Sequence, residues 1–288
     1  MLTPIVEAFF DEATNTVTYV VQDPDSNVCA IIDPVLDFDQ PSGRTSTTAA
    51  DRVIGFIDAN DLNVAWILET HAHADHLSAA PYLKSETGGK TGIGKLIIDV
   101  QVIFKDVFNL GDSMAVDGSQ FDRLFEEGDI LPLGEMNIEV LYTPGHTPAC
   151  LTFLVGDAAF VGDTLFMPDF GTARTDFPGG DSATLYQSIQ RIFQLPDQTR
   201  LFMCHDYKAP GRDQFAWQTT VAEQRENNVH IHKGVSQDEF VDFRDNRDAT
   251  LGMPKLILPS IQVNIRAGEL PPAEDNGVVY LKTPLNAL

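Results

Sequence analysis

Residues 71–76 read His-Ala-His-Ala-Asp-His and follow closely on the apolar run Val64-Ala65-Trp66-Ile67-Leu68. Four metal-ligating side chains in six positions, in a chain with seven histidines in all, is more than a polar turn needs. Imidazole and carboxylate together suit borderline divalent ions such as zinc, iron or manganese, and neutral imidazole is the commonest protein donor to them. The apolar run reads as a buried strand, so the donors stand where a strand gives way to a loop and then a helix. That placement lets side chains converge while a rigid element holds them. Six residues cannot surround an ion and leave it a useful opening, so the fold has to bring further ligands to this strand end.

Three further donors close apolar stretches in the same way. Asn137-Ile138-Glu139-Val140-Leu141-Tyr142 alternates like a half-buried strand and runs into Thr143-Pro144-Gly145-His146, where the Pro-Gly turn aims His146 from the strand's end. Ala158-Ala159-Phe160-Val161 leads to Gly162-Asp163, and Arg200-Leu201-Phe202-Met203-Cys204 leads to His205-Asp206-Tyr207. Singly, these read as a turn donor, a helix cap and a surface histidine. In this order, at successive strand ends, they are not independent.

The series His71-x-His73-x-Asp75-His76, His146, Asp163, His205 resembles the ligand series of the metallo-β-lactamase superfamily, over roughly residues 5 to 232. The resemblance implies an α/β (α+β) fold, an αββα sandwich with the metal at one end of two packed sheets. The superfamily hosts hydrolases, nucleases, lactonases and oxygenases, so the fold alone does not decide the chemistry. Finer likeness lies in Asp169-Phe170-Gly171-Thr172-Ala173-Arg174-Thr175-Asp176-Phe177, in the 182–189 segment, in His205-Asp206-Tyr207 and in the 219–225 segment. These resemble the persulfide dioxygenase branch, especially its bacterial β-lactamase hydrolase-like members. That branch oxidises glutathione persulfide with dioxygen to sulfite and glutathione.

The resemblance implies one Fe(II) per chain, bound by His71, His146 and Asp163, with no other cofactor. Two histidines and one carboxylate leave open positions for a persulfide sulfur and for dioxygen. His73, Asp75, His76 and His205 then act around the iron, fixing tautomers and hydrogen bonding to ligands and water, with Tyr207 among the catalytic group. In binuclear hydrolases of the superfamily the same residues complete two metal sites. Arg174 and Tyr207 match the family's glutathione-side residues, and a planar guanidinium suits a carboxylate. The other reading of Arg174 is a structural ion pair with a nearby aspartate. Some members carry a cysteine where this chain has Thr172, so any role of that thiol is absent.

The formal charge of −23, from 19 basic and 42 acidic residues, repels phosphate backbones and anionic lipids. It argues against nucleic-acid and membrane partners, and it makes a local cation such as Arg174 more necessary for anionic glutathione. The start, Met1 to Glu7, lacks the basic region and apolar core of a signal peptide, and no run approaches a membrane span. Cys29, Cys150 and Cys204 show no zinc or redox spacing and read as buried thiols of a cytoplasmic protein. Neighbours on a strand face opposite ways, which places Cys204 in the core rather than beside His205.

Val17–Val21 and Val28–Asp33 read as paired strands, residues 47–60 as a helix, and Asp75 as the cap of a helix from about His76 to Thr87. Gly89 to Lys95 nearly spells a phosphate-binding loop, but Leu96 stands where Ser or Thr is required. A flexible glycine-rich loop near the pocket is the expectation. Asp181 opens a helix over 181–194, and Ser236 to about Asp248 reads as a short acidic helix. The apolar, proline-interrupted stretch Leu256–Ile265 is expected to pack across the core or against a second subunit. Residues 1–288 are read as a single domain with a C-terminal extension at about 233–288, and the family expectation is a homodimer. The competing readings are a binuclear zinc hydrolase resembling glyoxalase II, acting on an acylglutathione, and a non-catalytic sulfide- or persulfide-binding protein.

Overall fold

Alternating apolar residues drive the strands of this chain into two sheets that share one core. The computed structural model describes residues 3–286, so the outermost residues of the amino-terminal stretch and of the 1–288 span lie outside the described residues. The chain runs through β1 (Ile5–Asp11), β2 (Thr16–Gln22), β3 (Val28–Ile32), β4 (Val35–Asp39), β5 (Arg44–Ser46), α1 (Thr48–Ala59), β6 (Asn63–Leu68) and β7 (Leu77–Ser78). Then come α2 (Ala80–Thr87), β8 (Lys90–Gly94), α3 (Ile97–Val107), β9 (Arg123–Phe125), β10 (Ile130–Leu133), β11 (Met136–Tyr142), β12 (Leu151–Val155) and β13 (Ala158–Phe160). It closes with α4 (Ser182–Ile192), β14 (Arg200–Phe202), β15 (Gln218–Thr220), α5 (Val221–Asn227), α6 (Gln237–Asp248) and α7 (Ile257–Asn264).

One six-stranded sheet has the order β1-β2-β3-β6-β8-β9, the other β10-β11-β12-β13-β14-β15, and β5-β4-β7 form a small third sheet. β2 and β3 pair antiparallel with Tyr19 opposite Ile32, as the sequence suggested. β3, β6, β8 and β9 run parallel, which requires crossover connections, and α1, α2 and α3 supply them. Tyr19, Ala30, Ile32 and Leu68 face inward against Ile138, Val140, Phe153 and Phe160 of the second sheet. Their neighbours Val20, Cys29, Ile31 and Ile67 face outward against Ala50, Val53, Ile57 and Leu83 of α1 and α2. On the far side, Leu185, Ile189 and Ile192 of α4 and Phe240 of α6 cover Ala159 and Leu201. This is the expected αββα sandwich.

Asp181 caps α4 by accepting a bond from the Thr184 amide at 2.7 Å, and Ser236 and Glu239 form a reciprocal cap at the start of α6. The 256–265 stretch is α7, whose Ile257 and Ile261 bury against Ile93, Ile97 and Phe104. No helix among the described residues is long and apolar enough to cross a membrane.

Two local expectations need correction. Asp75 does not cap a helix: α2 begins at Ala80, with Pro81 in its first turn. Leu77 and Ser78 instead pair with Leu36 and Val35 of β4, and the Asp75 carboxylate is taken by His205 and His76. Nor is 89–95 a flexible loop. It is β8, an interior strand with Thr91 to Gly94 buried. Its glycines are there because neighbours come too close for a side chain. A Cβ at Gly92 would lie 2.4 Å from the Phe125 ring, and one at Gly94 2.6 Å from the Ala149 carbonyl oxygen. Gly92→Val is therefore expected to lower unfolding stability by about 1–3 kcal/mol through overpacking against Phe125. Urea denaturation checks this, and an unchanged midpoint would contradict the close packing.

Candidate metal centre

Every donor found in the sequence arrives at the same end of the sandwich. His71, His73, Asp75 and His76 lie on the loop from β6 to β7, His146 on the turn from β11 to β12, Asp163 just beyond β13, and His205 just beyond β14. All are buried except Asp75, which is half-buried. Gly145 makes the His146 turn possible. Its φ of +135° is disfavoured for other residues, and a Cβ there would lie 2.4 Å from the Leu185 backbone at the start of α4.

The donors form two groups. His71, His146 and Asp163 bring ligand atoms within 4.8 Å of one another, and so do His73, Asp75, His76 and His205. Asp163 stands between them. Its Oδ2 lies 3.9 Å from His71 Nε2 and 3.6 Å from His146 Nε2, while its Oδ1 lies 3.3 Å from His205 Nε2. Donors sharing one ion at about 2.0–2.2 Å each are held at separations of this order.

Hydrogen bonds on the far side of each ring decide which nitrogen faces inward. The Arg174 carbonyl, 2.7 Å from His146 Nδ1, can only accept, so Nδ1 carries the proton and Nε2 is bare. The Asn15 carbonyl does the same for His205 at 3.2 Å. Thr70 Oγ1 donates to Asp33 Oδ2 at 2.9 Å and so accepts from His71 Nδ1 at 3.0 Å. His73 turns the other way. Its Nε2 meets Asp33 Oδ1 at 2.9 Å and Glu69 Oε2 at 3.2 Å, which leaves Nδ1 without a partner. His76 Nε2, His205 Nε2, Asp75 Oδ2 and Asp163 Oδ1 are likewise buried with no hydrogen-bond partner. Buried polar atoms are ordinarily satisfied, and a converging set of bare imidazole nitrogens and carboxylate oxygens fits a cation.

Electrostatics separates the rings. Burial, with His73 and His146 close by, holds His71 well below the usual histidine range, in the neutral ligating form. Burial also works against the His73 cation, but Asp33 and Glu69 outweigh it and push His73 well up. For His205 the same contest, with Asp75 and Asp163 prevailing, ends at about 9. Loss of hydration works against the Asp75 carboxylate too, yet His205 and His76 hold it well below the carboxylate range. Without a cation these groups share protons, and binding a metal releases them.

A cavity of about 320 Å³ opens from His146, Asp163 and Asp75. Phe166, Phe170 and Phe177 form apolar walls, and Arg174 and Tyr207 line it as well. Tyr207 stacks on His205 with centroids 5.6 Å apart. Arg174 is engaged by Asp176 through Nε at 2.5 Å and Nη2 at 2.6 Å, and donates from Nη1 to the Gly252 carbonyl at 2.7 Å.

The family model described as "Metallo-beta-lactamase superfamily" matches residues 12–205, which contain all seven donors. The chain belongs to the metallo-β-lactamase superfamily. Within it, the chain is 55% identical over 293 residues to a probable metallo-hydrolase of Burkholderia pseudomallei, covering 98% of this chain and 99% of that protein. It is 50% identical to Glyoxylase B2 of Dictyostelium discoideum, covering 98% and 97%. It is 30% identical to the mitochondrial persulfide dioxygenase ETHE1 of Mus musculus, covering 93% and 91%. The crystal structure of ETHE1 from Myxococcus xanthus superposes with a TM-score of 0.73 at 31% identity, covering 92% of this chain and 100% of that one. The chain spans 66% and 65% of two β-lactamase hydrolase-like proteins, of Xylella fastidiosa and Agrobacterium fabrum.

Several residues of this metallo-β-lactamase centre escaped the motif. Asp33 lies beneath it, accepting from the Thr70 amide at 2.7 Å and facing His73. An acid closing the apolar run Ala30-Ile31-Ile32 was the available signal. Cys204 is buried as expected, but its Sγ gathers with Asp163 and His205 donor atoms within 4.8 Å. β14 stops at Phe202, so strand alternation no longer applies at 204. Burial, with Asp33 and Asp163 adding negative charge, keeps that thiol protonated, far above its ordinary value. Asn264, at the end of α7, had no signal at all. Its Nδ2 donates to the His73 and His76 carbonyls at 2.8 Å each, and its Oδ1 accepts from the Ser78 amide at 2.8 Å. Removing such a support typically weakens metal binding 10–100-fold. Asn264→Ala is expected to fall in that range in competition with a chelator, and wild-type affinity would show that the loop holds its own shape.

Proposed function

We propose that the protein is a persulfide dioxygenase that oxidises glutathione persulfide with dioxygen to sulfite and glutathione, using one Fe(II) held by His71, His146 and Asp163. The observation that carries this reading is the donor set beside the cavity: two imidazole Nε2 atoms bared by their outer hydrogen bonds and one carboxylate oxygen. A two-histidine, one-carboxylate face suits non-haem iron and leaves positions free for substrate. Iron there supplies the redox electrons that zinc lacks. The likeness to ETHE1 of Myxococcus xanthus over 92% of this chain supports the same choice.

The protein's own groups do the rest. Phe166, Phe170 and Phe177 keep bulk water from the reacting sulfur. The bond from His146 to the Arg174 carbonyl ties a metal ligand to the substrate side of the cavity. Asp176 accounts for two of the five Arg174 N–H groups and Gly252 for a third, which leaves two for a ligand carboxylate. Tyr207, stacked on His205, lines the same cavity and would offer a phenolic hydroxyl to the substrate. His73, Asp75, His76 and His205 orient the ligands and hold protons beside them. A balanced conversion needs one water besides dioxygen, and the thiol is released protonated. The reading includes a cytoplasmic setting, which three buried free thiols fit, and the homodimer of the family. Residues 233–288 are taken as an extension of the same domain.

A second reading has a specific observation in its favour. His73, Asp75, His76 and His205 form a second donor group that shares Asp163 with the first, and Glyoxylase B2 is a relative at 50% identity. A binuclear zinc hydrolase acting on an acylglutathione would use both groups, with a metal-bound water of pKa near about 7. Metal analysis and oxygen uptake separate the two readings. The dioxygenase should hold one iron per chain, consume oxygen on addition of glutathione persulfide and release sulfite in step. Asp163→Ala should lose iron and oxygen uptake together. Iron-loaded protein that takes up no oxygen, with thioester hydrolysis by the zinc form, would favour the hydrolase.

A further inference from the structure

A second, smaller cavity adjoins the first. Val100 and Phe104 of α3, Ile261 of α7, Pro178, and Ala72 and Ala74 of the donor loop line it. Ala74, His146 and Phe177 line both cavities. The Phe177 ring is the partition. It stands nearly perpendicular to the His146 ring, with centroids 5.0 Å apart, and the Arg174 guanidinium lies over it at 5.4 Å.

No side chain in this wall suits a polar guest. Ala72, Ala74, Val100, Phe104 and Ile261 are buried apolar groups. Thr147 and His146 are the polar side chains of the lining, and their atoms are already engaged. Thr147 Oγ1 lies 3.1 Å from Cys150 Sγ. His146 Nδ1 gives its proton to the Arg174 carbonyl, and Nε2 faces Asp163. A buried water needs about two to four polar partners, and these side chains leave it none. The free volume is about 10 Å³, roughly the least that admits one water-sized molecule. A dry apolar space takes small apolar guests, as engineered cavities take xenon. An organic thiol is too large for it.

We propose that this cavity is a dioxygen-binding antechamber, from which the gas passes Phe177 to reach the metal centre. The proposal rests on the dioxygenase reading of that centre, and it answers a difficulty which the reading raises. A persulfide bound through its sulfur would occupy the open cavity in front of His146 and Asp163, so a second reactant needs another way in. An uncharged diatomic loses little on leaving water for an apolar crevice, whereas the same wall holds back an anion. α3 and the C-terminal α7 thereby do more than cover the sandwich.

Dioxygen itself is the probe. It is paramagnetic, and in the diamagnetic zinc-loaded full chain, under oxygen pressure, it should speed the relaxation of the Ala72, Val100 and Ile261 methyl groups. The effect should exceed that on Val17 and Ile138, which are fully buried in the shared core. Val100→Phe should fill the space and abolish the excess. In the iron-loaded enzyme the same variant should lower kcat/KM for dioxygen several-fold, and more than kcat/KM for glutathione persulfide. Ile261→Phe fills the space from α7 and should act alike, which keeps the test open if overpacking stops one variant from folding. Val102→Phe, at a position of α3 that is 47% exposed, should change neither ratio. Methyl relaxation no greater than in the core, or an unchanged kcat/KM for dioxygen in the filled variants, overturns the antechamber. Excess relaxation in a protein that takes up no oxygen when iron-loaded would remove the dioxygenase reading and leave the gas cavity standing. Oxygen uptake without the excess would do the reverse.

Discussion

Beneath the donor cluster, the Asp33 carboxylate binds the Thr70 amide, the Thr70 hydroxyl and the His73 ring, and the geometry of the metal centre follows from those contacts. It is 2% exposed, at the end of a strand in the shared core. Burying a carboxylate there is costly unless it is fully bonded. Burial pushes its pKa up, but His73 and the Thr70 bonds outweigh that and keep it ionised. Held so, it decides two tautomers at once. It makes Thr70 an acceptor toward His71, which bares His71 Nε2, and it claims His73 Nε2, which bares Nδ1. The sheets set where the loop starts; this one acid sets which way its first two rings look.

The same loop is fastened from the opposite side of the sequence. Asn264 meets the backbone of residues 73, 76 and 78 from nearly two hundred positions away. A loop whose four donor side chains converge on one point cannot also satisfy its own backbone by regular pairing. α7 takes up three of those backbone groups with a single amide. The C-terminal segment is thus tied to the donor loop through α7 and to the cavity wall through α6, where Arg244 donates to the Thr172 carbonyl. The donor loops and the cavity wall are built by different stretches of chain that touch at Arg174, whose carbonyl orients His146 and whose side chain lines the cavity.

Much of this was legible from local pattern. The apolar runs ending at Leu68, Tyr142, Val161 and Cys204 marked the strand ends that carry the donors, because a buried strand has to be apolar and a ligand has to leave it. The cap at Asp181 and the helix at 237–248 were readable for a similar reason, since helix starts are written in adjacent residues. The misses share a cause as well. Asp75 looked like a cap because caps and metal donors use the same side chain, whereas its neighbour His76 and His205, 130 positions away by number, claim it. The glycines of β8 looked like loop residues, whereas Phe125 and Ala149 lean on them.

By itself the sequence determined the donor set, its order along the chain and the acidic field, since each depends on residue type and short-range spacing, and the resemblance of that donor series implied the sandwich. Only the tertiary structure decided how the donors divide into two groups, which nitrogen each ring presents, that Cys204 joins them, and that Arg174 is paired with Asp176. Those outcomes depend on hydrogen bonds and ion pairs between segments far apart in the chain. A partner's identity is settled by distance and direction in the folded state, and no local pattern encodes it.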